Sequence, residues 1–237
     1  MRQAEAVLRS LAFYGVFYLG TVFIVLACVA TLLLASRHRF RRTVDQWARW
    51  HRWCMRYLLG LTVQVEGTLP EGPVVVALKH ESFFEAIDLA RLLPYPGVFA
   101  KAELMNIPLW GLAGDRYGLV KVHRAQGAKA LRHMMAEAKK ISAEGRPLAI
   151  FPEGSRVPHG EAPELKSGFA GIYKLLGLPV VPIAVDSGPI YQQWWKPKGV
   201  ITYRIGAVIP PGLPRDEAEA RVREAINALN SPNVKPL

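Results

Sequence analysis

From Leu11 to Ala35 the chain carries no charged side chain, and no other stretch restricts the fold as much. At about 1.5 Å of rise per helical residue the stretch reaches about 37 Å, enough to cross a hydrocarbon core with some tilt, so a helix of this composition belongs in lipid. The apolar run is longer than the core of a signal peptide, and no small-residue cleavage site precedes the basic cluster, so a retained helix is expected. That cluster follows at once: Arg37, Arg39, Arg41, Arg42, Arg49, Arg52 and Arg56 stand against a single acid, Asp45. Basic residues flanking a membrane segment stay on its cytoplasmic side. Val44, Trp47, Trp50, Trp53, Cys54, Tyr57 and Leu58 recur at helical spacing among these arginines. This describes an amphipathic helix that either lies in the headgroup layer or packs on the domain that follows. One span plus a surface helix, and a hairpin dipping into a single leaflet, both fit the pattern. Residues 1–60 are therefore expected to be membrane-anchoring helices at the inner (cell) membrane, with the remainder on the cytoplasmic face.

After Gly60 the pattern changes to short β-branched runs separated by Gly/Pro punctuation and helical stretches, the signature of strands alternating with helices. Strands are expected at Val63–Val65, Val74–Leu78, Val98–Lys101, Leu119–Val122, Leu148–Phe151, Val180–Val185 and Ile201–Ile205. Helices are expected at Phe83–Leu93, Gly127–Ala143, Gly168–Leu176 and Asp216–Leu229. Residues 61–237 thus read as one layered α/β domain, a mixed central sheet flanked by helices, and the 51% hydrophobic content is sufficient for its core.

The formal net charge of +11 points to a polyanionic partner, whether anionic lipid headgroups, a phosphate-bearing substrate or nucleic acid. Cys28 and Cys54 are the only cysteines, and no two histidines stand at zinc spacing. Neither a disulfide framework nor a metal site is expected, and no cofactor is called for.

Two segments carry chemistry. His80 follows the apolar run Val74–Leu78 and so stands at the carboxyl end of a strand, where α/β sheets bind ligands. With Glu85 five residues on, it is a candidate base with its orienting carboxylate. The second segment, Phe151-Pro152-Glu153-Gly154-Ser155-Arg156, leaves another apolar run. Gly154 lets the backbone approach a ligand, and Ser155 and Arg156 offer a hydroxyl and a guanidinium to phosphate. Neither Ser82, which lacks a nucleophile-elbow setting, nor Cys54, in the membrane-proximal helix, reads as a covalent nucleophile. Phe83, Phe84 and Leu104 to Trp110 either line an acyl channel or, at helical spacing, belong to the core.

These segments resemble those of the glycerolipid acyltransferases, most closely the bacterial 1-acyl-glycerol-3-phosphate acyltransferases. The family's first motif, His, four residues, Asp, is similar to His80–Glu85. The second, an arginine six residues after a glycine, resembles Gly118–Arg124. The third, Phe-Pro-Glu-Gly-Thr-Arg, resembles Phe151–Arg156 with Ser155 in place of threonine. The fourth, an apolar run around a proline, resembles Val180–Ala184, and Lys166 and Gly168 resemble a Lys-x-Gly between the last two motifs. The similarity runs from about Gly72 to Ser187. The departure is Glu85, where the family has aspartate. Asp88 lies one helical turn later, and Glu85 is favoured as the orienter because its extra methylene still reaches an imidazole.

The resemblance implies direct transfer of an acyl chain from a thioester, acyl-CoA or acyl carrier protein, to the free hydroxyl of lysophosphatidic acid, with His80 removing the proton and Glu85 holding its tautomer. It further implies that Lys101 and the Gly154 amide meet the developing oxyanion, and that Arg124 and Arg156 hold the acceptor phosphate in a pocket shaped by Glu153 and Ser155. Another lysolipid, such as a lyso-ornithine lipid, is the alternative acceptor. A non-catalytic, membrane-anchored binder of anionic lipid is the alternative from another class. A membrane with anionic lipid, rather than nucleic acid, is the expected partner.

Overall fold

The structure is a computed structural model that describes residues 2–107, 109–122 and 128–230. It opens with α1 (Arg2–Leu34), an apolar helix whose most apolar 18-residue stretch has a mean hydropathy of 2.5. Ser36 caps α2 (Arg37–Cys54), its hydroxyl accepting the Arg39 amide at 3.4 Å, and a π turn (Met55–Leu59) ends at Gly60. The strands are β1 (Leu61–Glu66), β2 (Val75–Leu78), β3 (Gly97–Lys101), β4 (Leu119–Val122), β5 (Leu148–Ile150), β6 (Val180–Val185) and β7 (Gly199–Ile205). Between and after them lie α3 (Phe83–Leu92), a 3₁₀ turn (Ala102–Asn106), α4 (Trp110–Tyr117), α5 (Ala128–Ala143), α6 (Ser167–Leu176), the single turn α7 (Gly188–Tyr191) and α8 (Arg215–Ile226). Each expected strand and helix has its counterpart, within a few residues at the ends. The expected start of α5 at Gly127 lies outside the described residues.

The strands form one sheet in the order β1-β7-β6-β2-β5-β3-β4. From β6 to β4 all neighbours run parallel, and β7 turns antiparallel against β6, so the sheet is mixed. Side chains alternate faces along a strand, and β2 displays this directly: Val76 and Leu78, like Val74 just before the strand, enter one core while Val75 and Ala77 enter the other. Helices α5, α6 and α8 cover the second face. Helix α3 covers the first, together with Phe13 and Phe17 of α1 and Cys54 of α2, so α1 and α2 share a core with the sheet. Central strands buried on both faces need no polar alternation, which explains the unbroken apolar runs of β2 and β6.

Helix α1 touches the sheet domain near its start and just beyond its end, and packs on α2 between. Near its start Ser10 accepts the Lys196 amide at 2.9 Å and Tyr14 donates to the Trp194 carbonyl at 2.7 Å. In its middle Thr21 accepts from the Trp47 indole at 3.1 Å. Beyond its end the Arg116 guanidinium of α4 donates to the Ala35 carbonyl. The helix lies across the domain instead of projecting from it.

Candidate active site

Because β2 and β5 are parallel neighbours, the residues that leave them emerge side by side at one edge of the sheet. The crossovers diverge there: α3 carries the chain from β2 toward β3, and α6 carries it from β5 to β6 on the opposite side of β2. Such a divergence opens a crevice at the carboxyl ends of the strands. His80 stands in it, its ring stacked on that of Phe151 with centroids 4.1 Å apart.

Nδ1 of His80 lies 3.0 Å from Oε2 of Glu85. Local sequence makes this contact: Ser82 and Glu85 form a capping box at the start of α3, with the Ser82 amide donating to Glu85 Oε2 at 2.9 Å and the Phe84 amide donating to the Ser82 hydroxyl at 3.1 Å. The other oxygen, Oε1, accepts from the Ser82 hydroxyl at 3.2 Å and from the Ser187 hydroxyl at the end of β6. A buried carboxylate with this many donors stays in place and fixes the imidazole tautomer that carries its proton on Nδ1. Nε2 is then the nitrogen left to accept a proton, and no hydrogen bond engages it among the described residues. Asp88 does not reach His80. Both its oxygens are held by Arg52, at 2.6 and 2.7 Å.

The turn after β5 is tied to the same segment residue by residue. Lys79 donates to Glu153 at 2.7 Å, to the Glu161 carbonyl at 2.8 Å and to Asn227 at 2.7 Å. The His80 amide donates to the other Glu153 oxygen at 3.1 Å, and the His80 carbonyl accepts the Val157 amide at 2.8 Å. Glu81 accepts the Gly188 amide at 2.8 Å and meets His159 Nδ1 at 2.9 Å, while burial pushes its carboxyl above the ordinary carboxylate range. Glu153, expected to shape the substrate pocket, is 2% exposed with both oxygens engaged. It holds the His80 backbone against the turn.

Ser155 and Arg156 are exposed at the rim, the Arg156 guanidinium 5.1 Å over the ring of Phe83, which is 61% exposed. Phe84 points the other way into the core. Gly154 has φ 72, a conformation glycine adopts without strain, but its amide, expected as an oxyanion donor, donates to the Phe151 carbonyl at 3.0 Å and closes the turn. Lys101 is exposed at the end of β3, on the same edge of the sheet. Arg124 lies outside the described residues. Gly118, which opens its motif, has φ 115 and a guanidinium nitrogen of Arg146 only 2.6 Å from where a Cβ would stand. That arginine donates to the Tyr117 carbonyl at 3.0 Å and the Tyr95 carbonyl at 2.7 Å, so the glycine is required by backbone conformation and by space. Lys166 holds its segment through its backbone, its amide donating to the Pro152 carbonyl at 2.9 Å.

Sequence reasoning missed the supporting residues. The Ser-x-x-Glu spacing of the capping box was a readable signal for Ser82. Ser187, Lys79 and His159 act across the sheet and carry no local one.

A family model described as acyltransferase matches residues 60–186. The 1-acyl-sn-glycerol-3-phosphate acyltransferase of Pseudomonas aeruginosa is 30% identical over 232 residues, which cover 94% of this chain and 86% of that protein. The Homo sapiens 1-acyl-sn-glycerol-3-phosphate acyltransferase alpha is 28% identical over 186 residues, 73% of this chain and 65% of that protein. A solved 1-acyl-sn-glycerophosphate (LPA) acyltransferase from Thermotoga maritima superposes with a TM-score of 0.73 over 99% of this chain and 100% of that one, at 22% identity, a likeness of fold. The extent of the family match and the near full-length similarity to the bacterial relative carry one conclusion: this chain belongs to the acyltransferase family.

Proposed function

We propose that the protein transfers an acyl chain from a thioester to the free hydroxyl of 1-acyl-glycerol 3-phosphate, giving phosphatidic acid. The observation that carries this reading is the His80–Glu85 pair, oriented through Nδ1 with Nε2 unengaged among the described residues, beside the Phe151–Arg156 turn. Nε2 takes the hydroxyl proton as the oxygen attacks the thioester carbonyl; as the tetrahedral intermediate collapses the C–S bond breaks, and the imidazolium returns the proton to the departing sulfur, which leaves as the thiol. Glu85 stabilises the imidazolium without taking its proton.

Arg156 at the rim and Arg124 of the second motif are the guanidinium groups proposed for the acceptor phosphate, since a planar fork matches phosphate oxygens two at a time. Ser155 adds a hydroxyl. Lys101 is the cation proposed for the oxyanion. The Gly154 amide can add only a shared hydrogen bond, because the Phe151 carbonyl already accepts it.

The same reading puts the enzyme on the cytoplasmic face of the inner membrane. A helix attached to the domain near its start and just beyond its end, and to α2 in its middle, supports lying within one leaflet over crossing the bilayer. The exposed arginines of α2 suit the anionic cytoplasmic surface.

Incubation of the full chain with acyl-CoA or acyl carrier protein thioester and lysophosphatidic acid tests the reading. Thiol release matched by phosphatidic acid is expected. With Arg156→Ala, acylation of lysophosphatidic acid should fall about 10- to 100-fold. An Arg156→Ala variant that loses nothing on lysophosphatidic acid, with a wild type that prefers lyso-ornithine lipid, would move the assignment to the phosphate-free acceptor.

A further inference from the structure

The segment from Leu104 to Leu112 leaves large apolar side chains in the open. Leu104, Ile107, Leu109, Trp110 and Leu112 are between 42% and 53% exposed, although Leu104 to Trp110 reads in the sequence as channel lining or core. Monomeric soluble surfaces rarely collect so many large apolar groups in one short segment without a partner. The backbone adds to this: Leu109 has φ 62, a conformation that a leucine adopts only under constraint, immediately before the exposed Trp110.

Its neighbours say what covers it. Helix α4 packs on the junction of the membrane helices, with Tyr117 beside Leu32 of α1 and Phe40 of α2, and Ala113 against the same cluster. Arg116 donates to the Ala35 carbonyl. Leu33 and Leu34, the last residues of α1, are themselves exposed. The apolar surface of 104–112 therefore continues the lipid-facing surface of α1. Lys101 stands just before the segment, and Arg37, Arg39 and Arg42 are exposed at the start of α2, the helix on which α4 packs. Of the neighbouring acids, exposed Glu103 precedes the segment, and Asp115, beyond it in α4, is paired to Lys121 at 3.0 Å.

We propose that the exposed side chains of Leu104, Ile107, Leu109, Trp110 and Leu112, from the 3₁₀ turn to the first turn of α4, form a second lipid-inserting element that enters the same leaflet as α1. It follows the end of β3, one strand from β5, so it stands at the edge of the sheet that bears His80. There it holds the crevice at the lipid surface, so that an acceptor anchored by its acyl chain reaches His80 without leaving the leaflet. This rests on the membrane-bound reading above and extends it from α1 to the mouth of the site.

Two measurements on the full chain test it. A Cys28→Ala, Ile107→Cys protein, with Cys54 left in place because it is buried, is labelled at position 107 with an environment-sensitive fluorophore. It is then mixed with vesicles of equal parts phosphatidylglycerol and phosphatidylcholine. The emission should shift to the blue and be quenched by lipids brominated on their chains, while the same label at Glu219 on α8 should not respond. In the second measurement, Leu109→Ser, Trp110→Ser, Leu112→Ser should lose about 10-fold or more in acylation of long-chain lysophosphatidic acid embedded in vesicles, and stay within about twofold of wild type on a short-chain, monomeric acceptor. A silent label at position 107 on vesicles that bind the protein overturns the proposal. So does an equal loss on both acceptors. A blue shift that depends on protein concentration and needs no vesicles assigns the surface to a second copy of the chain and also overturns it. If wild type acylates neither acceptor, the acyltransferase reading fails, and the label at position 107 alone decides the surface.

Discussion

Oε1 of Glu85 is shared by the hydroxyls of Ser82 and Ser187, which stand 2.7 Å from each other, while Oε2 faces His80. The carboxylate is thus pinned from two strand ends, and the longer glutamate side chain is held as firmly as an aspartate would be. Glu85→Gln keeps the size and removes the charge that stabilises the imidazolium. Its kcat should fall by about 10³- to 10⁴-fold with thermal unfolding little changed. Steady-state thiol release checks this, and a loss below tenfold would mean that His80 works without its partner.

Asp88 provides the contrast. Its carboxylate belongs to Arg52, with side-chain exposures of 0% for the acid and 29% for the arginine. Asp88→Asn should cost roughly 1–3 kcal/mol of stability, discounted because the arginine is partly in water, and leave kcat within about threefold. Denaturant unfolding beside the activity assay separates the two effects. A large kcat loss at normal stability would make Asp88 part of the chemistry.

Lys79 and Glu153 are both buried, 2.7 Å apart, and the lysine has two further acceptors. Removing one member of such a pair leaves the other charge without compensation, at a cost of about 3–5 kcal/mol. Lys79→Met should show this loss in urea unfolding. It should also lower activity, because Glu153 carries the His80 amide. A stable, fully active variant would contradict the role given to Glu153.

His51 of α2 is buried, its Nε2 2.7 Å from the Tyr191 hydroxyl. Burial, aided by the charges of Arg52 and Lys196, pushes its imidazole down to about 3. Between that value and the ordinary 6.5 the unfolded chain takes up a proton that the folded protein refuses. Stability is therefore full above pH 6.5 and lost as pH falls toward 3, by about 2 kcal/mol at pH 5. His51→Gln should remove most of that loss between pH 7.5 and pH 5. Equal pH sensitivity in variant and wild type would place the acid-labile group elsewhere.

What the sequence made legible followed from short-range physics. The apolar runs of β2, β5 and β6 are unbroken because both faces are covered, so the strands and the positions of His80 and Phe151 at their ends were readable. The Glu85 contact was readable because a residue leaving a strand and one in the first helical turn are neighbours. The 3₁₀ turn and α4 were not read: the segment holds Pro108, Gly111 and Gly114, and α4 has no side-chain cap. Helix propensity there is poor, and packing of Tyr117 and Ala113 on α1 and α2 substitutes for it. Lys79 with Glu153, and Ser187 with Glu85, join residues far apart in the chain, so only the sheet order brings them together. The Glu153 and Gly154 expectations followed motif position and missed that each group already had a partner within the fold.

Thioester consumption with lysophosphatidic acid, compared between wild type and His80→Ala, tests the central claim most directly. The account predicts at least a ~10³-fold fall in kcat/KM, near the upper part of the general-base range, with unchanged folding. A His80→Ala protein that retains more than about a tenth of wild-type activity would contradict it.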